Sequence, residues 1–269
     1  MLPDTLHVGP VPIHWFGIFL ALAIVVAGWA VGRELARQGL DRSLAWDAVL
    51  WGALGGIVGA RLWMVFESWP AFLAEPQRFL FSGSGLAWYG GFLGGTIAVT
   101  LWLRRQRIPW LNGADIFAPA IALGHAVGRL GCQVAGDGDW GTETKLPWGM
   151  AYPYAVVGWN KPPGVRVHPT PIYESLAYVA IFLVLTRMRK DARGDGRVFG
   201  AYLALAGSAR FLVEFIRVNQ KVLFGLTVAQ ISSVVLVVFG LVLWTRRSRP
   251  RPEPSAKPTA AGAAGGLDS

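Results

Sequence analysis

Arg61, Arg129 and Arg210 stand inside long apolar runs of this sequence, where arginine is costly. Around two of them the spacing is that of one helix face. Arg210, Glu214 and Arg217 fall at i, i+4 and i+7, and His125 and Arg129 at i and i+4. Glu214 can neutralise one arginine of its face and leaves the other in surplus. A guanidinium in such a setting should face the interior and find a partner, and its planar fork matches a phosphate bidentately. The chemistry these residues allow is therefore anion recognition. The plainer structural readings are that Arg210–Glu214 glues helices together and that Arg61 snorkels outward.

The elements that must position these groups are apolar helices. Of the 269 residues, 53% are hydrophobic and only 15% charged, with mean hydropathy +0.42. A typical soluble domain is about 25% charged. The composition argues against a soluble globular enzyme, a disordered chain and a disulfide scaffold. The single cysteine, Cys132, allows neither an internal disulfide nor a multi-cysteine metal site. Seven apolar stretches, at 13–32, 45–66, 86–103, 114–135, 172–186, 198–217 and 226–245, approach the ~20 residues a helix needs to cross a bilayer. The fifth is the shortest, weakened by Tyr173, Glu174 and Tyr178.

Lysine and arginine alternate between the connections. Sixteen follow odd-numbered stretches, six lie on the other side and three fall within the stretches. The positive-inside rule then predicts an all-α polytopic membrane protein of seven transmembrane helices, N-terminus outside and C-terminus cytoplasmic. The net charge of +9 anchors the cytoplasmic face to anionic lipid. A nucleic-acid partner would want those cations on a soluble domain. The first stretch has no cationic n-region and is too long for a signal-peptide core, so it is expected to be retained. Residues 1–245 are expected to form one membrane domain. Within it, 136–171 make a small extracytoplasmic cap containing Trp140, Trp148, Tyr152, Tyr154 and Trp159, and 67–85 lie in the interface. Residues 246–269, basic and rich in Pro, Ala and Gly, are expected to be disordered. Gly52, Gly55, Gly56 and Gly59, and Gly90, Gly91, Gly94 and Gly95, form two small-residue faces suited to close helix packing or to room for a lipid chain.

In this orientation Arg61, Arg129 and Arg210 sit late in outward-running stretches, while His14, Tyr89, Glu174 and Gln230 sit early in inward-running ones. All seven helices thus bring polar groups to the outer half of the membrane, and the polar groups stop there. The residues alone predict a bundle that binds an anionic lipid headgroup from the outer leaflet; they do not supply a reaction.

Longer motifs resemble those of the bacterial prolipoprotein diacylglyceryl transferases. Gly128-Arg129-Leu130-Gly131-Cys132, continuing to Asp137-Gly138-Asp139-Trp140-Gly141, is similar to that family's signature at the end of its fourth span. His168-Pro169-Thr170-Pro171-Ile172-Tyr173-Glu174 is similar to its His-Pro-Tyr-Glu element, and Arg210 to Arg217 to its late arginine motif. Trp88 to Gly94 and Ile13 to Gly17 match more loosely, and the resemblance runs in order from residue 8 to about 245. It implies a protein of the bacterial inner (cytoplasmic) membrane with its active site on the extracytoplasmic side. The implied reaction moves the diacylglyceryl group of phosphatidylglycerol to the lipobox cysteine of a prolipoprotein signal peptide, forming a thioether and releasing glycerol phosphate, the first step of lipoprotein maturation. Its partners would be phosphatidylglycerol, prolipoproteins and membrane lipids, with no nucleic acid, cofactor or metal. The four dispersed histidines likewise give no metal-ligand spacing.

Carried over residue by residue, the resemblance implies catalytic roles for Arg129, Arg210, Tyr89 and Glu214. It implies substrate contacts for Arg129, Arg210, Gly141, His168, Glu174, Cys132 and Asp137. Three positions depart from the commonly described pattern. Tyr89 stands where a histidine often precedes the Gly-Gly, Cys132 replaces an asparagine and Phe16 a tyrosine. The group that takes the thiol proton is therefore open between Tyr89, His168 and the headgroup phosphate. An anionic-lipid transporter or scramblase would share the arginines, but it would favour a polar path to both leaflets and an inverted repeat. Neither is evident in the sequence.

Overall fold

A computed structural model describes residues 5–8, 11–75, 77, 88–189 and 194–245. Every apolar stretch is a helix: α1 (Trp15–Arg37), α2 (Leu44–Glu67), then a short α3 (Trp69–Ala74), α4 (Trp88–Arg105), α5 (Trp110–Ala135), α6 (Thr170–Met188), α7 (Arg197–Val213) and α8 (Val228–Thr245). Two antiparallel hairpins, β1 (Thr5–Val8) with β2 (Val11–His14) and β3 (Lys221–Leu223) with β4 (Leu226–Thr227), qualify the all-α expectation. Arg78, Leu86, Lys190, Arg193, the side chain of His7 and the tail 246–269 lie outside the described residues. Of the interfacial segment expected at 67–85, α3 is described, with Trp69 and Leu73 exposed.

The helices carry their apolar side chains outward as well as inward. Only 6% of the most apolar window of α2 is buried, and Leu50, Leu54, Ile57, Leu62 and Phe66 all face out. Apolar surface of that extent is at home in lipid, not in water. By length and composition α1, α2, α6 and α8 can each cross a membrane. The chain is a helical, multi-pass membrane protein.

Helix α5 is the centre of the bundle, packed on α1, α6 and α7. Ala118, Ala122 and Ala126, spaced by four, give it a flat, fully buried stripe against Tyr178, Ile181 and Leu185 of α6 and Val198 and Ala201 of α7. Its start is tied to α7 by Asp115, whose carboxylate accepts the N–H groups of Gly196 (2.9 Å) and Phe199 (2.8 Å) and so caps that helix. Its end is closed by Gly136 in the left-handed conformation (φ 64°), with the Gly136 N–H on the Cys132 carbonyl at 3.0 Å.

Two boundaries differ from expectation. The fifth stretch is not the shortest helix: with Pro171 pre-organising its first turn, α6 runs 19 residues, whereas α7 has 17. Helix α7 stops at Val213 instead of 217, because the following backbone pairs with the loop between α5 and α6. The Thr142 N–H donates to the Ile216 carbonyl at 2.7 Å, and Gly141 pairs with Arg217.

The two glycine faces meet each other, which decides for packing over lipid room at these positions. A Cβ on Gly59 would overlap the Gly90 carbonyl and come within 2.8 Å of the Gly94 Cα. Gly59→Val should therefore force α2 and α4 apart and cost about 1–3 kcal/mol. A lower thermal midpoint in detergent would register this. Gly17→Ala, where a Cβ meets nothing within 4 Å, should not lower the midpoint.

Polar groups do not stop at one end of the bundle, contrary to the sequence reading. Glu34, 2% exposed near the end of α1, holds Arg37 (2.5 Å) and Arg189 (3.1 Å), and Gln38 accepts from Asn112 at the start of α5 (3.1 Å). This cluster ties α1, α5 and α6 together at the end opposite Arg129.

Candidate active site

At the C-terminal end of α5 three arginines and three carboxylates close a ring of alternating charge. Arg129, nearly two turns from the end of α5, meets Asp139 of the α5–α6 loop through Nη1 and Glu174 of α6 through Nε at 3.1 Å. Arg210, in the last turn of α7, meets Glu174 at 3.8 Å and Glu214 at 2.6 Å. Arg217 meets Glu214 at 3.7 Å, Glu174 at 3.6 Å and, through Nη2, the other oxygen of Asp139. The turn after Val213 is helical enough to keep Arg210 and Arg217 on one side, so the i, i+4, i+7 spacing survives the end of the helix. The expected surplus of guanidinium does not: the ring is balanced, three against three. Local spacing identifies only Glu214 as a partner, and Glu174 and Asp139 come from other elements.

The members differ in how firmly they are held. The side chains of Glu174 and Glu214 are 3% and 0% exposed, and Glu214 is further fixed by Asn219 (2.7 Å) and Thr227 (2.8 Å). Neither Glu174 oxygen accepts a hydrogen bond among the described residues; its contacts are purely ionic. The Asp139 side chain is 26% exposed, on the loop between α5 and α6. Burial works to raise its carboxyl, but the hydrogen bond and charge of Arg217 and the charge of Arg129 outweigh burial and hold it below the usual carboxylate range. Its stabilising contribution is thus complete at neutral pH and is lost only as the pH falls through that lowered value.

The other expected residues arrange around the ring. Gly141 lies between two backbone segments, its N–H on the His168 carbonyl at 2.9 Å, and a Cβ there would stand 2.5 Å from the Ile216 carbonyl. Only glycine fits, so Gly141 joins the cap to Arg217. His168 places Nδ1 3.2 Å from the Tyr173 hydroxyl, which accepts from the Trp148 indole N–H at 2.8 Å. Trp140, Tyr152 and Trp159 stack into a small cap core, with the Tyr152 hydroxyl donating to Gln133 at 2.9 Å, while Tyr154 is exposed. His125 is stacked on Tyr178, ring centroids 4.0 Å apart. Phe16 of α1 packs beside Gly131, two residues after Arg129 in α5.

Tyr89 comes from a helix that supplies no member of the ring. It opens α4, is 61% exposed, and sets its ring 6.3 Å from that of Trp63 on α2. Arg61 is on α2, which packs mainly on α4 and also on α1 and α3 and supplies no member of the ring.

Cys132 Sγ and the carboxylate oxygens of Asp137 and Asp139 lie within 4.8 Å of one another. Burial pushes the Asp137 carboxyl up, and the charge of Asp139 adds to it. The set does not suit a resident cation: Asp139 is committed to two guanidiniums, and three arginines at this end oppose further positive charge.

A groove of about 370 Å³ opens between α6 and α7, lined by Ala177, Ala209, Leu212, Val213 and Ile216, with Tyr173 and Glu174 at its margin. It joins the lipid-facing surface to the ring. Two features escaped the sequence reading: the bridging role of Asp139 and the full membership of Arg217. Asp139 lies 78 positions from Arg217, a separation no local spacing reports.

Residues 3–246 match the family profile described as prolipoprotein diacylglyceryl transferase. The chain is 34% identical, over an alignment of 285 residues, to the phosphatidylglycerol–prolipoprotein diacylglyceryl transferase of Xanthomonas campestris pv. campestris (strain B100), covering 97% of this chain and 96% of that one. It is 32% identical over 236 residues to the protein of the same name from Finegoldia magna, covering 87% and 90%. With that of Nostoc sp. (strain PCC 7120) it shares 31% over 274 residues, covering 96% and 95%.

Proposed function

We propose the following reaction for this chain, which belongs to the prolipoprotein diacylglyceryl transferase family. It transfers the diacylglyceryl group of phosphatidylglycerol to the lipobox cysteine of a prolipoprotein. The thiol reacts as its thiolate. The sulfur bonds to the glycerol carbon that carries the phosphoester, that carbon–oxygen bond breaks, and the electron pair leaves on glycerol phosphate. The observation that carries this reading is the ring. Arg129, Arg210 and Arg217, drawn from α5, α7 and the turn after α7, stand together beside a groove open to lipid. Acyl chains fit the apolar walls of that groove, and the headgroup phosphate fits the guanidiniums. Preorganised forks in a dry site stabilise charge as it develops on the departing phosphate. A buried ionic ring is weak support for stability compared with apolar packing, which favours a functional reason for it.

Arg129 and Arg210 bind and stabilise the phosphate, and Glu214 orients Arg210. Gly141, His168, Glu174, Cys132 and Asp137 shape the floor on which headgroup and peptide meet. Incubating the purified chain with phosphatidylglycerol and a lipobox peptide tests the reading. A diacylglyceryl mass gain on the peptide cysteine is expected, and its absence with folded protein would overturn the assignment.

Tyr89, exposed at the start of α4, belongs in this scheme as a lipid contact. Tyr89→Phe should slow transfer less than any loss of a ring arginine, without lowering the thermal midpoint. A drop of proton-transfer size, about 10²–10⁴-fold, would place the hydroxyl in the chemistry instead.

The alternation of cations supports seven spans in the bacterial inner membrane, with the ring toward the extracytoplasmic side and residues 136–171 as a cap over it. Reporter fusions after Arg107 and after Arg193 should read cytoplasm, and one near Asn160 the outside. A cytoplasmic Asn160 would reverse the orientation and the face of the site.

A further inference from the structure

We propose that Asp139 is a resident anion in the headgroup site: lipid phosphate displaces its carboxylate from Arg129 and Arg217, and the freed carboxylate then takes the proton of the substrate thiol. The inference rests on the transferase reading above and deepens it.

The charge count motivates it. Three guanidiniums already face three carboxylates. A phosphodiester entering this ring would leave one negative charge in excess in a poorly solvated place, unless one carboxylate moves away. Glu174 and Glu214 cannot be that one. Both side chains are essentially fully buried, Glu174 within α6 and Glu214 fixed by Asn219 and Thr227. Asp139 can move. Its side chain is the most exposed of the three, and its neighbour Gly138 has φ +93°. Its main chain is separately held, since the carbonyl accepts from the Thr170 hydroxyl and from Arg217 Nη1 (3.3 Å). The side chain can therefore swing while the loop stays in place.

The geometry supports exchange with phosphate. Asp139 gives one oxygen to Arg129 and the other to Arg217, the pattern in which two forks would share a phosphate. Once displaced, the carboxylate loses the two partners that hold its carboxyl low and gains an anion as neighbour. Both changes make it a better base. The titratable groups facing it are Arg129 and Cys132 from α5, Asp137 on its own loop, Glu174 from α6 and Arg217 after α7. In the step itself Asp139 accepts the S–H proton, the thiolate forms the C–S bond, and the C–O bond breaks toward glycerol phosphate. The product, now a dianion, takes the proton back as it leaves, and the carboxylate re-forms its bridge.

Asp139→Asn separates the two halves. Without the competing charge, binding of phosphatidylglycerol micelles to the purified chain, measured with no peptide present, should tighten about tenfold, the lower end of couplings between close charges. With a lipobox peptide, KM for the lipid should fall while kcat falls about 10²–10⁴-fold, as for a lost general base. Asp139→Glu keeps a carboxylate and should keep most of kcat. Equal or weaker lipid binding by the folded Asn variant would overturn the displacement, and an unchanged kcat would overturn the base. If Asp139→Asn does not fold, Asp139→Glu decides: a folded Glu variant with kcat down by the full general-base factor would overturn the proposal. A parent chain that binds the lipid yet transfers nothing would overturn the transferase reading instead, and the binding comparison would still judge the displacement.

Discussion

Replacing Arg129 with lysine should lower the transfer rate by about 10²–10³-fold, the size of one lost donor to developing charge. Lysine keeps the charge, so simple neutralisation is not what is removed. In the structure the Arg129 fork spans two carboxylates, Nη1 to Asp139 and Nε to Glu174. A phosphate that takes the place of Asp139 meets the Nη1 edge while Nε stays on Glu174, so the fork must hold two anions at once. An ammonium is a point charge on a flexible stem and cannot hold both in one plane. The rate is read as peptide lipidation in proteoliposomes, with membrane accumulation followed by immunoblot. The variant should accumulate, because the positive charge still faces Asp139 and Glu174. A near-parental rate would make Arg129 structural. Arg61→Lys should be milder, because α2 does not contribute to the ring.

The contrast between these arginines shows how far the sequence could be read. Hydropathy marks every long helix among the described residues, because an apolar run long enough to cross a bilayer satisfies its backbone polar groups within a helix. The small-residue spacing marks the faces of α2 and α4 that pack closely, because a helix repeats its face every three to four residues, but it does not say that the two faces meet each other. The same periodicity placed Arg210, Glu214 and Arg217 together. It could not report that Arg217 would reach Asp139, or that Arg129 and Arg210 would share Glu174, since those contacts join elements distant in sequence. The surplus of positive charge was inferred helix by helix, and the balancing carboxylates came from other elements. The end of α7 was misplaced for a related reason. Local propensity allows helix through Arg217, but the cap competes for the Ile216 carbonyl and wins it. Glu34 was passed over because it follows the apolar run of α1, and only its burial beside Arg189 marks it.

Glu174→Gln should be the most destabilising single change in the ring. Glu174 is the one carboxylate in ionic contact with all three arginines, at 3.1, 3.8 and 3.6 Å. Glutamine keeps the volume of the side chain, so the loss isolates charge. It leaves three partly buried guanidiniums against two carboxylates, and it turns an amide N–H₂ toward groups that can only donate. Removing one partner of a buried ionic group costs about 3–5 kcal/mol, because the remaining charge is left uncompensated. A marked fall in thermal midpoint and in membrane accumulation should follow. The charge argument makes a second, sharper demand. Removing Arg210 as well, in Glu174→Gln/Arg210→Gln, restores balance at two against two, and Glu214 still keeps Asn219, Thr227 and Arg217. The double variant should therefore recover much of the stability lost by the single one, a favourable coupling in the mutant cycle. It should recover none of the transfer activity, because a phosphate-binding fork is gone. If the double variant is no more stable than Glu174→Gln, the ring is not a charge-balanced unit, and the displacement argued for Asp139 loses its premise. If the double variant regains activity, Arg210 has no part in stabilising the departing phosphate.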